Sequence, residues 1–209
     1  NNIGSPGRLG NQMFKYGALK GIAKQNGYSY CIPPRKKNLS IKSFLGDSKK
    51  NHYLFDAFNM GSIKKKNEKL MKNKEIITEN DFSFDKKIFT NCPDNVQING
   101  YFQSEKYFLN VKKALKSDFE FRINYKEPAN NIFRELDNPI SIHIRRGDFI
   151  TNPNHHLLDM TYYLKSLEYF DKNRQKIIFS DDPDWVKSQK IFSKSTFIIS
   201  NNLTNNDTY

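Results

Sequence analysis

Apolar residues near the start of the chain recur with the three- and four-residue spacing of an amphipathic helix. A helix is predicted from Gln12 to about Asn26, with an apolar face small enough to lie close to a sheet: Phe14, Gly17, Ala18, Gly21 and Ile22. Gly27 ends this helix, and the run "YSYCI" at 28–32 predicts a strand that stops at two prolines. This order is typical of the second part of a βαβ unit, whose first strand is represented by residues 1–4.

The last third of the chain alternates strand and helix patterns. Strands are predicted at "PISIHI", "QKIIFS" and "STFIIS", and helices at "LDMTYYLKSLEYF" and "DDPDWVK". One face of the first helix contains Met160, Tyr163 or Leu164, Leu167 and Phe170. The second helix begins with an Asp as N-cap and Pro183 in its first turn. The order β, α, β, α, β predicts the parallel sheet of half a doubly wound domain.

The middle of the chain has weaker patterns. Residues 35–99 contain Lys-rich helical pieces and the apolar run "EIIT", and "QING" predicts a strand that leads into aromatics and a helix through Ala114. The stretch from Glu120 to Asn138 is polar and contains Pro128. We place a domain boundary there, which predicts an N-terminal domain at 1–125 and a C-terminal domain at 126–209.

The net charge of +12 is confined to the first part of the chain. Residues 137–209 contain nine basic and nine acidic residues, so the whole excess lies before them, in runs such as "RKK" at 35–37 and "KKK" at 64–66. These runs belong to no nucleic-acid-binding motif. They are interpreted either as a solvated lysine-rich surface or as an electropositive face for an acidic glycan or an anionic membrane surface.

Cysteine usage and hydropathy bear on the cellular location. The two cysteines are far apart, so no disulfide framework is predicted, and Cys31 is expected to be a buried thiol. No apolar run approaches the roughly 20 residues that span a bilayer, and no signal peptide is evident. We expect a cytoplasmic protein of microbial or viral origin, with peripheral membrane contact through its basic part.

The candidate functional residues of the C-terminal part lie where its predicted strands end. Ligands bind beyond the carboxyl ends of parallel strands, and Arg145, Arg146, Asp148 and the run 180–182 fall there. The arginine fork suits phosphate oxygens, although either arginine could instead pair with Asp148 or with a carboxylate of the other domain. The "DPD" at 182–184 is similar to a metal-binding D-x-D, but a proline at a helix start favours capping.

Five motifs in order along the chain resemble glycosyltransferase family 11, the α-1,2-fucosyltransferases. They are "GRLGNQMF" at 7–14, "GYFQSEKYF" at 100–108, "HIRRGDF" at 143–149, the stretch of His156 and Tyr162-Tyr163, and "FSDDPDWVK" at 179–187. The resemblance implies a GT-B architecture of two Rossmann-like domains facing a cleft. It also implies metal-independent, inverting transfer of L-fucose from GDP-β-L-fucose to O2 of a terminal galactose.

The same resemblance suggests roles for individual residues. Arg145, supported by Arg146, would stabilise the leaving phosphate, Asp148 is the candidate base, and His143 either orients a phosphate or packs as a strand residue. Gly10 lets the backbone approach the cleft, and Asn11 and Gln12 would contact the sugar. The remaining predicted donor contacts are His156, Ser180, Asp181 and Asp182. No metal or other cofactor is expected, and the partners are GDP-fucose and a galactose-terminated glycan, not nucleic acid.

The chain also departs from the family pattern. Family members continue into a segment resembling "SSFSWWGAW" that helps form the donor site, whereas this chain ends at "NNLTNNDTY". The C-terminal domain is therefore expected to be incomplete. The alternative functions are a truncated nucleotide- or glycan-binding relative without turnover, and a basic nucleic-acid-binding protein.

Overall fold

A computed structural model describes residues 9–32, 54–60 and 75–200. These residues belong to two compact units, one that ends at Tyr125 and one that begins at Lys126. The predicted first strand at 1–4, the Pro33-Pro34 stop and the basic runs at 35–37 and 64–66 lie outside the described residues. Parallel sheets and helices occur in both units, so the predicted α/β class is confirmed, and the GT-B arrangement stays a prediction.

The first unit is built around one long helix. Its helices are α1 (Leu9–Asn26), α2 (Leu54–Ala57), α3 (Lys86–Thr90) and α4 (Lys112–Asp118), and 3₁₀-helices cover Glu105–Tyr107 and Leu109–Val111. Two short parallel strands, β1 (Ile76–Thr78) and β2 (Gln97–Asn99), pair in the register Ile77 to Ile98. The predicted helix at 12–26 and the strand that ends at Asn99 are confirmed. The helix predicted through Ala114 is divided into two 3₁₀ turns and α4.

The small residues of α1 permit close packing against both a strand and the turns that follow it. Ala18 and Ile22 pack in one cluster with Ile98 of β2 and with Phe102 and Tyr107, so the predicted position of this face beside a sheet is confirmed. Gly21 lies directly against the backbone of Tyr107 and Phe108 in the turns after β2. The periodicity identified the buried face, while only the fold determined its partner.

The strand predicted at 28–32 is absent from the structure. Gly27 ends α1 with φ +74°, as predicted, but the run that follows it pairs with no strand among the described residues. The run contributes side chains to the core instead: Ile32 is buried there, and the half-buried Tyr30 ring packs edge-on against Tyr16 at 6.2 Å. An apolar run signals burial, and strand structure requires a backbone partner in addition.

The prediction of a buried thiol at Cys31 is also wrong. Cys31 is only half-buried, and the buried residue of this run is its neighbour Ile32. Cys92 is the buried thiol, and burial raises its pKa.

The second unit contains a three-stranded parallel sheet, as predicted. Its strands β3 (Ile140–Ile144), β4 (Lys176–Ser180) and β5 (Phe197–Ile199) lie in sequential order. Helices α6 (Met160–Leu167) and α7 (Pro183–Ser188) connect them. Because such crossovers are right-handed, both helices cover the same face, where Ile144, Tyr163, Ile178, Val186 and Phe192 form the core.

Two details of this unit differ from the sequence pattern. On α6 the inward residue is Tyr163, whereas Leu164 is 43% exposed. Phe170 is also 43% exposed, because the helix ends before it at Leu167. The polar stretch predicted as a linker contains a twelve-residue helix, α5 (Ile123–Arg134), with Pro128 inside it. A proline removes one backbone donor, and this cost did not prevent the helix from forming.

Candidate functional site

The loops after β3 and β4 meet at the carboxyl edge of the sheet. Ile144 and Ser180 are register partners, so Arg145 and Arg146 leave one strand beside the run 180–182 that leaves the next. The structure therefore brings together the two motifs that the sequence placed at this edge.

Arg146 is held from several directions. Its Nε donates to Asp182 Oδ2 at 3.0 Å, and its backbone N–H donates to Asp181 Oδ1 at 2.7 Å. Its guanidinium lies 4.0 Å from the centre of the Trp185 ring. The next residue is Gly147, where a Cβ would lie 2.8 Å from Asp181 Oδ2. These contacts orient Arg146 without using all five of its donors.

The run 180–182 has structural roles that explain its sequence. Asp182 caps α7 by accepting from the Trp185 N–H at 3.1 Å, and Pro183 occupies the first turn, so the predicted capping is confirmed. Ser180 is buried, and its hydroxyl oxygen accepts from the Asp182 N–H at 3.0 Å. Asp181 holds the turn at Arg146. The three residues thus fix the geometry of the edge whether or not they also contact a nucleotide.

Arg145 pairs with Asp148, which was one of the two alternatives left open by the sequence. Arg145 Nη2 donates to both carboxylate oxygens, at 2.7 and 3.0 Å, and Nε donates to Oδ1 at 3.0 Å. The guanidinium carbon lies 4.6 Å from the centre of the Phe149 ring, and the other neighbour of that ring is His155, stacked at 4.2 Å. Arg145, Phe149 and His155 form a layered stack at the surface.

The histidines are distributed differently from the predicted set. His143 lies on β3 and is exposed, so the interpretation of a packed strand residue is wrong. His156 is also exposed, and its neighbour His155 is the one that stacks on Phe149. Sequence reasoning noted His155 in this segment but gave no role to it, nor to Phe149 or Trp185. The aromatic residues that follow the arginines in "RRGDF" and the aspartates in "DDPDW" were the available signal.

The N-terminal candidates lie on the first turn of α1. Asn11 Oδ1 accepts from Gln103 Nε2 at 2.6 Å, and open space surrounds the position of a Cβ on Gly10. Gln12 is fully buried, and its Oε1 accepts from the Leu54 N–H at 3.2 Å. Among the residues that the structure describes, its Nε2 has no hydrogen-bond partner. Gln12 therefore supports the start of α2, and its predicted contact with a sugar stays a prediction.

A buried lysine next to these residues was not predicted. Lys15 is 2% exposed and lies with Gln12 on the buried side of α1, with its ammonium 5.5 Å from the centre of the Tyr101 ring. Burial lowers the pKa of Lys15, and the charge of Glu79 opposes this shift. Glu79 Oε2 accepts from the N–H groups of Tyr101 and Phe102, each at 2.8 Å. A charged cluster therefore lies where β1 and β2 end.

The described ranges contain neither a metal-binding cluster nor a membrane-spanning helix. Among the residues that the structure describes, no group of three His, Cys, Asp or Glu side chains is arranged to hold a metal ion. No helix in the same ranges is both long and apolar enough to cross a bilayer.

Comparison with known proteins gives the family. The model of glycosyl transferase family 11 matches residues 1–208. An alpha-1,2-colitosyltransferase of Escherichia coli is 32% identical, over 90% of this chain and 72% of its own length. Two proteins of Bos taurus, galactoside 2-alpha-L-fucosyltransferase SEC1 and galactoside alpha-(1,2)-fucosyltransferase 2, are 26% and 25% identical, over 88% and 96% of this chain.

The chain spans only 50% and 58% of the length of those two bovine proteins. No solved structure matches it. The family match nevertheless covers nearly the whole chain and agrees with the motifs at the edges of both sheets, so this chain belongs to glycosyltransferase family 11.

Proposed function

We propose that this chain transfers L-fucose from GDP-β-L-fucose to O2 of a terminal galactose on a glycan, with inversion and without a metal. The observation that carries the proposal is the pair Arg145 and Arg146 at the carboxyl edge of the parallel sheet, where nucleotides bind in such folds. Two guanidinium groups match the charge of a diphosphate, and this match supports the metal-independent mechanism.

Arg145 is the residue proposed to contact the phosphate. Its side chain is 29% exposed and that of Asp148 is 44% exposed, and an ion pair of this kind contributes only about 0 to 1 kcal/mol. A doubly charged diphosphate therefore competes well for the guanidinium. Arg146, held by Asp182 and Trp185, keeps its orientation and contributes preorganised charge.

The proposed reaction is an in-line displacement. The galactose O2 attacks the anomeric carbon of fucose, the bond from that carbon to the β-phosphate oxygen breaks, and GDP leaves with the electron pair. Arg145 and Arg146 stabilise the charge on the phosphate, and the hydroxyl proton passes to a base, for which Asp148 is the candidate. Because Asp148 accepts from Arg145 in the structure, it acts as a base only when Arg145 has moved to the phosphate.

The remaining predicted contacts complete the proposal. Exposed His143 and His156 are proposed at the donor with Ser180, Asp181 and Asp182. Gly10, Asn11 and Gln12 are proposed to contact the donor sugar as well, and Asn11 is also proposed as a catalytic residue. The protein would act in the cytoplasm, with peripheral membrane contact through its basic part.

The test is to incubate the 209-residue chain with GDP-fucose and a panel of galactosides, and to identify the linkage of any product. An α-1,2-fucosyl product is expected. GDP binding without transfer would instead support the alternative of a nucleotide- or glycan-binding relative that does not turn over. Salt-sensitive binding of oligonucleotides, with none of GDP, would support the nucleic-acid alternative.

A second candidate is transfer of colitose instead of fucose. The observation that favours it is the 32% identity to the Escherichia coli alpha-1,2-colitosyltransferase over 90% of the chain. Offering nucleotide-activated fucose and colitose in competition separates the candidates, because the ratio of their kcat/KM values measures discrimination directly.

A further inference from the structure

A basic groove lies on the first unit, lined by the C-terminal half of α1 and by residues 109–116. Its volume is about 860 Å³, which is in the range of ligand-binding sites. The described residues that line it include five lysines: Lys20, Lys24, Lys112, Lys113 and Lys116. None of the residues used in the proposed reaction lines this groove, so its charge has no role in the chemistry described above.

Within the described part of the chain, the positive charge of the groove is largely uncompensated. The described lining contains no carboxylate, and the neighbouring Asp118 forms an ion pair with Lys20. Lys24, Lys112, Lys113 and Lys116 are exposed. Like charges at this density repel one another, and an anionic ligand relieves that repulsion. The groove therefore favours a ligand with several negative charges.

The groove is concave, and two tyrosine rings line its wall. Tyr28 and Tyr30 are half-buried in its wall, and the Tyr30 hydroxyl lies 3.3 Å from that of Tyr16. Asn110 Nδ2 donates to the Gly21 carbonyl at 2.9 Å, which attaches the second wall to α1. Both walls are thus fixed by hydrogen bonds, so the site needs little rearrangement to bind a ligand.

We infer that this groove binds an acidic oligosaccharide, a sugar chain carrying carboxylates, as part of the acceptor glycan. The inference rests on the proposed function for the role of that chain as acceptor. Lysine ammonium groups pair with carboxylates, and tyrosine rings provide apolar faces for sugar rings. The concave shape favours an inserted chain over the flat surface of a membrane. Lys20 follows Asn11 by nine helical residues, or roughly 14 Å along α1.

The test measures binding of tetragalacturonate, and of its fully methyl-esterified neutral form, by calorimetry without any donor. The variant replaces Lys24, Lys112 and Lys116 by Gln. The matched control replaces Lys86, Lys87 and Lys165 by Gln, which removes the same charge from exposed positions that do not line the groove. We expect the first triple variant to bind the acidic probe at least about tenfold more weakly and the control to bind it normally.

Several outcomes would overturn the inference. These are equal binding of the neutral probe, equal losses in both triple variants, or a stronger groove-dependent affinity for phosphatidylglycerol vesicles or oligothymidylate. The proposed function is separable from these results. Acidic-probe binding without fucose transfer to any galactoside would remove the proposed function and leave a binding groove. Transfer of fucose to neutral galactosides, without preference for the acidic probe, would support the proposed function and remove the inference about the groove.

Discussion

Gly21 lies so close to Tyr107 that a Cβ on the glycine would be 1.9 Å from the Tyr107 carbonyl oxygen. The contact is between backbone atoms of α1 and of the turn after β2, so no side-chain rotation can relieve it. It sets the separation between α1 and this turn, and thereby the shape of the core of the first unit.

Gly21→Ala is expected to destabilise the protein by about 3 kcal/mol, because the two backbones must separate and leave their contacts. Urea unfolding measures the change. The matched control is Gly10→Ala in the first turn of the same helix, where open space surrounds the new methyl group and helix propensity favours Ala by up to about 1 kcal/mol. Equal stability of the two variants would contradict the packing argument.

Arg145→Ala is expected to weaken GDP binding by roughly 1.5 to 3 kcal/mol, the contribution of a charge-assisted hydrogen bond to phosphate. Arg145→Lys should restore only part of this, because an ammonium cannot form the fork. Calorimetry measures both variants against Arg134→Ala, an exposed arginine of α5. Unchanged GDP affinity in a folded Arg145→Ala protein would remove the phosphate role.

Chelation provides a test of how the leaving phosphate is stabilised. If the two arginines supply this charge, EDTA should leave the rate of fucose transfer nearly unchanged. The rate is compared before and after chelation and after addition of Mn²⁺. Activity that is lost with EDTA and restored by Mn²⁺ would show that a metal, and not the arginine pair alone, stabilises the leaving group.

Tyr16 makes the free energy of unfolding depend on pH in the alkaline range. Burial, and then hydrogen bonds with Tyr30 and Asp118, raise the pKa of the Tyr16 hydroxyl far above its ordinary value of 10.0. The unfolded state therefore loses this proton first, so the stability contributed by Tyr16 is complete below pH 10 and declines above it. Tyr16→Phe should cost about 1 kcal/mol near neutrality through the lost hydrogen bond.

Above pH 10 the wild type should lose about 1.4 kcal/mol for each pH unit relative to Tyr16→Phe, so the deficit of the variant should vanish within about one pH unit and then reverse. Denaturant unfolding between neutrality and the alkaline range measures it. Tyr169→Phe, at a side chain that is 88% exposed, should match the wild type throughout. A deficit of Tyr16→Phe that stays constant with pH would contradict the assignment.

Lys176 is a buried cation that holds a loop together. Its ammonium donates to the carbonyl oxygens of Asp171 and Lys172 at 3.0 and 2.9 Å and to that of Arg174, and it lies 5.7 Å from the centre of the Phe197 ring. Lys176→Met should cost about 2 to 3 kcal/mol, because three carbonyls lose their donor. Thermal unfolding measures it, with the exposed Lys172→Met as the control, expected within about 0.5 kcal/mol of wild type.

The sequence by itself determined the features of this protein that depend on neighbouring residues, namely the positions of several helices and strands. The spacing of apolar residues located α1 and β3, and short apolar runs located β4 and β5. Asp182 with Pro183 located the start of α7 because capping needs only neighbouring residues. The adjacency of Arg145 and the run 180–182 also followed, since consecutive parallel strands end at one edge. Short motifs spread along the chain were sufficient to identify the family.

Only the tertiary structure decided which distant groups meet. Residues 28–32 read as a strand from their composition, yet no partner strand pairs with them among the described residues. Lys15 meets Glu79, and His155 rather than His156 stacks on Phe149. The basic groove joins residues about 90 positions apart, whereas the charge runs visible in the sequence lie elsewhere. Burial and long-range pairing depend on how the elements pack, and composition and spacing contain no record of those contacts.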